Sequence, residues 1–274
     1  MNRFLLLALL AVTSIAGAVV VRHDVDDARY RIAPSVFPAL ADLPHEGHGV
    51  LIAPQWVVTA AHAVTWQHEV SYVVLNGIPR AVEQLVIHPG FRKLPQGLVD
   101  QALSSGDASL AMAWLAASDD IALLKLAQPV SDVSPVELYA KGDEMGQLVT
   151  IIGKGATANG RAGYGPGDSH RTALRRASNK VSSADGRWFC YGFDRAPSAL
   201  PLEGIAGNGD SGGPVLIGMQ GQWSLAGLAS WKAVQGNAAT SRLGLYGQTS
   251  CNVRISHYIG WIESIVSTPS HAGG

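Results

Sequence analysis

The feature that most constrains this sequence is a succession of short apolar runs, each ended by a turn signal. Runs rich in β-branched or aromatic residues occur at 49–52, 56–60, 71–75, 148–152, 214–217 and 223–231. Turn-forming pairs such as Ala53-Pro54 and Asn76-Gly77 separate them. Strands bounded by Gly, Pro and Asn in this way are typical of antiparallel β-proteins. The pattern therefore predicts an all-β body.

The composition supports a folded body and excludes one class of partner. The 274-residue chain is 47% apolar and 15% charged, which suits a core and is too little charge for a disordered protein. Its 20 Lys and Arg residues face 21 Asp and Glu residues. This balance leaves no basic excess to neutralise phosphates or to hold anionic lipid. We expect no nucleic-acid partner.

The N-terminus has the pattern of a secretory signal peptide. Arg3 precedes an apolar stretch, and residues 16–18 are small enough for cleavage. An uncleaved anchor is the alternative, because the apolar stretch approaches the length that spans a membrane. We expect residues 1–18 to be removed and residues 19–274 to be secreted or periplasmic, with no stable membrane association afterwards.

Two other features leave their structural outcome open. Cys190 and Cys251 can form one disulfide in an oxidising compartment, but the sequence does not tell whether their Cα atoms are close enough. Residues 95–118 are rich in Ala, Leu and Ser, and predict a helical or loop insertion of unknown role. Near the C-terminus, apolar residues at helical spacing from 255 to 266 predict a closing amphipathic helix capped by Ser256.

Three short stretches carry residues suited to nucleophilic catalysis. The stretch WVVTAAH ends at His62, DDIALLKL begins with Asp119 and Asp120, and GNGDSGGPV places Ser211 among glycines. Each has a plain structural interpretation when taken alone, as a core histidine, a turn acid and a tight turn. Together they give the order His, Asp, Ser along the chain.

In this order and with these local sequences, the chain resembles the trypsin-like, or chymotrypsin-fold, serine proteases from about Val50 to Ile262. The resemblance implies two six-stranded antiparallel β-barrels with the active site between them, a boundary near 130–147, and the C-terminal helix. It implies a serine endopeptidase that acts on protein or peptide substrates as a monomer, without a metal or other cofactor.

The resemblance also implies a role for each residue of the site. Ser211 is the expected nucleophile, His62 is the base that removes its proton, and Asp120 holds the imidazole ring. Asp120 is preferred to Asp119 because it directly precedes the apolar strand, where alternation would point the two acids to opposite faces. The backbone N–H groups of Gly209 and Ser211 are the expected oxyanion donors.

The expected substrate contacts, again by resemblance, are Ile205, Asn208, Ser230, Trp231 and Lys232. Ile205 stands at the floor of the primary pocket, where trypsins carry an aspartate. An apolar floor cannot pair with a basic side chain, so we expect apolar or small residues before the cut. For Lys232, three interpretations stay open: it narrows the pocket, meets an acidic substrate group, or lies along the surface.

The sequence departs from the family at two cysteine positions and in its N-terminus. Ala63 and Gly207 stand where many members have disulfide cysteines, which suits a bacterial secreted type. No cutting site of the usual kind precedes His62. Cleavage after residue 18 would instead expose Val19, whose amine would then bind Asp210 in an activation salt bridge. The alternative is that other donors satisfy Asp210.

Competing interpretations are a serine esterase and a protease-like binding protein without activity. The esterase pattern Gly-x-Ser-x-Gly fits around Ser211, but that fold requires the order Ser, acid, His. A silent binding protein would be expected to lack one of the three catalytic residues, and all are present. The acids near His23 are expected to form a solvated turn and not a metal site, and His45 and His48 are expected in a loop.

Overall fold

The structure is a computed structural model that describes residues 19–65, 69–156, 158–164, 173–234 and 236–267, so the expected signal peptide lies outside the described residues. Its elements in the first half are β1 (Val20–Val21), β2 (Leu40–Asp42), β3 (His48–Ala53), β4 (Trp56–Thr59), α1 (Ala61–Thr65), β5 (Tyr72–Leu75), β6 (Ile78–Ile87), α2 (Gln96–Ser105), α3 (Ser109–Ala116) and β7 (Ala122–Leu126). Short 3₁₀ turns occur at Asp27–Arg29 and Pro34–Val36.

The second half contains the remaining strands and the last helix. These are β8 (Glu137–Leu138), β9 (Leu148–Gly153), β10 (Arg175–Lys180), β11 (Ser183–Asp185), β12 (Trp188–Gly192), β13 (Gly204–Ile205), β14 (Pro214–Met219), β15 (Gln222–Lys232), β16 (Thr249–Arg254) and α4 (Ile255–Val266).

The first half forms a closed six-stranded antiparallel barrel in the order β2-β3-β4-β7-β6-β5. Local turns set its register. Asn76 and Gly77, with φ of 50° and 77°, connect β5 to β6, as expected for the Asn-Gly hairpin turn whose twist matches the strands. The inward residues of β4 and β7 are fully buried and supply much of the barrel core.

The second half is an eight-stranded sheet in the order β10-β9-β14-β15-β16-β12-β11, with β8 beside β15. The predicted all-β class, the six-stranded barrel and the C-terminal helix are confirmed. The second half differs in detail from a closed six-stranded barrel. Strand β10 at one end approaches β12 through the Asn179 side chain, which donates to the Gly192 carbonyl at 2.8 Å.

The two cysteines lie directly opposite each other on neighbouring strands. Cys190 of β12 pairs with Cys251 of β16, and their Cα atoms are 4.2 Å apart in a disulfide. The cross-link therefore joins two strands that are already hydrogen-bonded. Sequence spacing alone could not decide this, because the pairing depends on the sheet register.

The predicted C-terminal helix is present as α4, with Ile255, Tyr258 and Ile262 buried against the body. The predicted cap is wrong. Arg254 occupies the N-cap position without a side-chain cap, while the Ser256 hydroxyl donates to Glu144 at 2.5 Å. A buried carboxylate from elsewhere in the fold thus takes the hydroxyl that would have capped the helix.

Arginine side chains form ion pairs with two acids of the expected solvated turn near the N-terminus. Asp24 pairs with Arg22, whereas Asp27 accepts two hydrogen bonds of 2.7 Å from Arg175, which is fully buried. Asp27 thus binds a buried arginine while its own side chain stays 28% exposed. Within the described ranges, no group of His, Cys, Asp or Glu is arranged to hold a metal, and no helix is long and apolar enough to cross a membrane.

Candidate active site

Three side chains that are distant in the sequence meet between the barrel and the second sheet. His62 lies in α1 directly after β4, Asp120 shortly precedes β7, and Ser211 lies in the turn before β14. His62 Nδ1 is 2.7 Å from Asp120 Oδ2, and His62 Nε2 is 2.7 Å from Ser211 Oγ. The structure therefore brings together the three residues that the sequence singled out.

The donors around Asp120 fix the orientation of the imidazole ring. The carboxylate accepts from the His62 backbone N–H at 2.8 Å and from the Ser230 hydroxyl at 2.5 Å. Because an ionised carboxylate only accepts hydrogen bonds, Nδ1 of His62 carries the proton in its contact with Asp120. Nε2 is then left to accept from the Ser211 hydroxyl.

Two opposing influences set the pKa of His62. Burial would lower it, but the charge of Asp120 and the hydrogen bond to Asp120 outweigh burial, so the pKa is raised above 6.5. The charge of Lys232 opposes this rise and that of Glu46 supports it. A raised pKa means that the ring holds a proton more firmly once it has accepted one.

The neighbouring carboxylate, Asp119, binds other partners. Its Oδ1 accepts from Arg187 Nε and from the Tyr258 hydroxyl, both at 2.8 Å. Burial would raise the pKa of Asp119, but the hydrogen bond from Tyr258 and the charge of Arg187 lower it. The preference for Asp120 over Asp119 as the partner of His62 therefore agrees with the geometry.

The turn before β14 presents two peptide N–H groups without backbone partners. Gly209 has a φ of 87°, a left-handed conformation that an L-residue adopts only at a cost. Within the described part of the chain, the N–H groups of Gly209 and Ser211 donate to no backbone carbonyl, whereas Gly212 N–H donates to the Ala229 carbonyl at 2.8 Å. That they bind the oxygen of a ligand stays a prediction.

Asp210 anchors this turn from inside the protein. Its Oδ1 accepts from Gly155 N–H and its Oδ2 from Gly207 N–H, both at 2.7 Å. Burial raises the pKa of Asp210, although the charge of His48 and the two backbone donors act to lower it. A buried carboxylate of this kind is stabilised by any cation that reaches it.

The first described residues form β1, which lies with β13 in a two-stranded sheet apart from the eight-stranded one. Val19 is fully buried, and β1 pairs with β13 so that Val20 lies opposite Ile205. The expected ion pair between Val19 and Asp210 requires a free amine at Val19, which the uncleaved chain does not have. That ion pair therefore stays a prediction.

The other residues expected to contact substrate surround the same turn. Ile205 is fully buried in β13, and Asn208 accepts from the Tyr164 hydroxyl at 3.1 Å. Lys232 lies half-buried on β15, where burial lowers its pKa to about 8 against the raising effect of the Asp210 charge. Its ammonium group is thus partly withdrawn from water near the active site, which disfavours the interpretation that it lies along the surface.

His48 is a residue that the sequence analysis placed wrongly. It belongs to β3 and is 1% exposed, with Nδ1 at 3.2 Å from Asp42 Oδ1 and Nε2 at 3.8 Å from Asp210 Oδ1. The Lys154 backbone N–H donates to Nε2 at 3.2 Å. The apolar run begins only at residue 49, and a polar residue at the first position of a strand resembles a loop residue when its partners are distant in sequence.

Comparisons with known proteins agree on one family. A family model described as Trypsin matches residues 29–262. A Mus musculus protein named Tryptase is 28% identical over 240 residues, covering 80% of this chain and 77% of the relative. Vitamin K-dependent protein C of Mus musculus is 27% identical over 252 residues, but this chain spans only 45% of its length.

Among solved structures, a similar fold occurs in neuropsin, a serine protease expressed in the limbic system of mouse brain. The TM-score is 0.62 at 22% identity, and the match covers 86% of this chain and 98% of the other. At this level of identity the likeness concerns the fold.

Proposed function

The chain belongs to the trypsin family of serine endopeptidases, and on that premise we propose that it hydrolyses peptide bonds through an acyl-enzyme intermediate. The single observation that carries this proposal is the unbroken hydrogen-bonded series from Asp120 through His62 to Ser211, with both heavy-atom distances at 2.7 Å. The residue types match the roles, because a serine hydroxyl is a weak nucleophile until a neighbouring base takes its proton.

In the proposed reaction, Ser211 Oγ attacks the carbonyl carbon of the scissile bond while its proton passes to His62 Nε2. The same proton is then given to the leaving amine, and a water molecule repeats the sequence to release the acid. Asp120 stabilises the imidazolium that forms between these steps. The N–H groups of Gly209 and Ser211 bind the negative oxygen of the tetrahedral intermediate.

A fluorophosphonate that labels reactive serines tests the nucleophile. Wild-type protein should be labelled and should cleave peptide amides, and Ser211→Ala should do neither. Ser264→Ala is the matched control, because Ser264 is an exposed serine on α4 whose hydroxyl donates to the Trp261 carbonyl at 2.7 Å. Labelling that survives in Ser211→Ala would overturn the proposal.

The same experiment separates the two alternative functions. A silent binding protein would not be labelled at Ser211. A serine esterase would be labelled but would hydrolyse esters and leave peptide amides intact. The structure favours the peptidase over the esterase, because strand β14 follows Ser211 where the esterase fold requires a helix.

The proposed preference is for apolar or small residues before the cut. Its support is that Ile205, expected at the pocket floor, is fully buried and carries no charge, so a substrate Lys or Arg would lose its hydration without gaining a partner. A cationic ammonium at Lys232 disfavours basic residues further. A peptide library should yield cuts after apolar or small residues, and a profile dominated by Arg would contradict the proposal.

Activation is proposed to follow from removal of residues 1–18. The free amine of Val19 would then bind the carboxylate of Asp210, since both residues are buried. The pairing of Val20 with Ile205 supports this, since it holds the new terminus against β13, which precedes the turn that contains Asp210. N-terminal sequencing of the active protein should begin at Val19, and a start well after Val21 would exclude the ion pair.

The remaining proposals concern where the mature protein acts. We propose a secreted or periplasmic monomer of bacterial type, with residues 19–274 as the protease domain and its two halves meeting near 130–147. The support is the signal-like N-terminus and the loss of family cysteines at Ala63 and Gly207. Fractionation of the expressing cells and sedimentation of the mature protein test these points.

A further inference from the structure

The insertion at residues 95–118 forms two short helices that leave the barrel between β6 and β7. Helices α2 and α3 pack against each other and are joined by a turn at Gly106. We call residues 95–118 the helical hairpin. The hairpin belongs to the first half of the chain, yet it is attached to the second half at two places.

The first attachment is at the tip of the helical hairpin. Ala238 N–H donates to the Gly106 carbonyl at 2.9 Å. Gly106 has a φ of 77°, and a Cβ atom added there would lie 2.6 Å from Asn237 Nδ2. A larger residue at this position would therefore be strained by the left-handed φ and would have to displace the Asn237 side chain.

The second attachment is at the base of the helical hairpin. Trp188 of β12 donates from Nε1 to the Ala116 carbonyl at 2.8 Å, and its ring meets that of Trp231 edge-on at 5.7 Å. The hairpin thus leaves one half of the molecule and is fixed to the other at both its tip and its base. It crosses the cleft on the side of Trp231.

An apolar cavity of about 200 Å³ lies beneath this crossing. His62 and Asp120 line it on one side, Leu94 and Leu115 on the hairpin side, and Trp231 on the side of the second sheet. The cavity is therefore continuous with the catalytic imidazole, and its walls suit an apolar side chain of a substrate.

The strand beside Ser211 offers an unpaired edge that leads towards the hairpin. β14 pairs with β15 only as far as Leu228, while β16 occupies the opposite edge out to Lys232. Among the residues that the structure describes, no strand pairs with Ser230–Lys232 on the side of Ser211. An extended peptide can add to such an edge, and three strand residues accommodate about three residues of a partner.

We propose that the helical hairpin closes this end of the cleft and selects substrates by length. The preferred substrate is a peptide with at most about three residues before the scissile bond, one of which places an apolar side chain in the cavity. This proposal rests on the peptidase function proposed above and restricts it. A longer upstream segment must displace the hairpin from Ala238 before it binds.

Peptides with one core sequence and two, three, six or nine residues before the cut test this selection. For the wild-type enzyme, kcat/KM should fall at least tenfold between three and six upstream residues. Gly106→Val should remove most of this fall, because a branched side chain at this left-handed φ strains the turn and displaces the Asn237 side chain next to the Ala238 hydrogen bond, while the two shortest peptides are cleaved as before. Gly146→Val is the matched control, because Gly146 has a φ of 78° with open space around its Cβ; it should keep the wild-type preference.

Fluorescence anisotropy measures the binding of the same peptides to Ser211→Ala. Because this variant lacks the nucleophile, the effect of the hairpin on binding is measured without cleavage. Short peptides should bind at least tenfold more tightly than long ones. The wild-type protein could fail to cleave any peptide while Ser211→Ala still binds short peptides more tightly. In that case the peptidase proposal fails, and the proposal that the hairpin closes the cleft is retained. Equal kcat/KM or equal affinity for short and long peptides would overturn the closed cleft, as would an unchanged preference in a folded Gly106→Val variant.

Discussion

Replacing Gly209 with alanine separates the cost of its backbone conformation from its role in stabilising the intermediate. Gly209 has a φ of 87°, and holding an L-residue in the left-handed region costs about 1–2 kcal/mol. A domain of this kind has about 5–15 kcal/mol of stability, so the variant should still fold. Alanine keeps the backbone N–H, so kcat falls where relief of the left-handed φ turns this N–H away from the substrate oxygen; loss of one oxyanion donor lowers kcat by about 10²–10³.

The chain offers a matched control in Gly221. Its φ is 88°, and nothing lies within 4 Å of a Cβ atom added there, in the turn between β14 and β15. Gly221→Ala therefore carries the same backbone cost far from the active site. Urea unfolding should show similar losses of stability for both variants, whereas kcat on a chromogenic peptide should fall only for Gly209→Ala.

The reasoning would be refuted by equal turnover. If Gly209→Ala unfolds like Gly221→Ala and its kcat stays within threefold of that control, the substitution does not disturb an oxyanion donor, and the expected loss of kcat is refuted. A loss of kcat in both variants would instead place the effect in general backbone strain. Either result would require other donors for the tetrahedral intermediate.

The pH dependence, the Ser230 hydrogen bond and the disulfide give three more expected outcomes. Because protonated His62 cannot accept a proton, kcat/KM should fall as the pH drops through its raised pKa, with a midpoint above 6.5; a midpoint at or below 6.5 would contradict the influence of Asp120. Ser230→Ala removes a 2.5 Å hydrogen bond to the Asp120 carboxylate. Since a hydrogen bond to a charged group contributes about 1.5–3 kcal/mol, steady-state assays should show kcat reduced about tenfold or more, with little change in KM. An unchanged kcat would mean that Ser230 does not orient the carboxylate. Replacing both Cys190 and Cys251 with alanine removes the cross-link between two residues that are 61 positions apart. Urea unfolding should then show a free energy of unfolding that is lower by about 4 kcal/mol. A loss under about 1 kcal/mol would show that the cross-link barely restrains the unfolded chain.

The sequence predicted those parts of the fold that local patterns determine. The hairpin of β5 and β6 was readable because Asn76-Gly77 fixes the turn. Strands β8 and β13, with two residues each, carry no detectable period, and they exist only because distant strands pair with them. The pairing of Cys190 with Cys251 was hidden for the same reason.

The same distinction holds within the site. His62, Asp120 and Ser211 each lie in a short stretch with a distinctive residue pattern, so they could be identified from the sequence. His48 was missed because Lys154 and Asp210, which lie next to its Nε2 atom, are distant along the chain. The attachment of Gly106 to Ala238 could not be predicted either, since it joins two halves whose relative placement is a tertiary property.

The adjacent carboxylates at the start of β7 link the last helix to catalysis. Asp119 is held by Arg187 and by Tyr258 of α4, while Asp120, the next residue, orients His62. Docking of α4 therefore supplies one of the two side-chain donors that hold Asp119, the residue next to the carboxylate that orients His62.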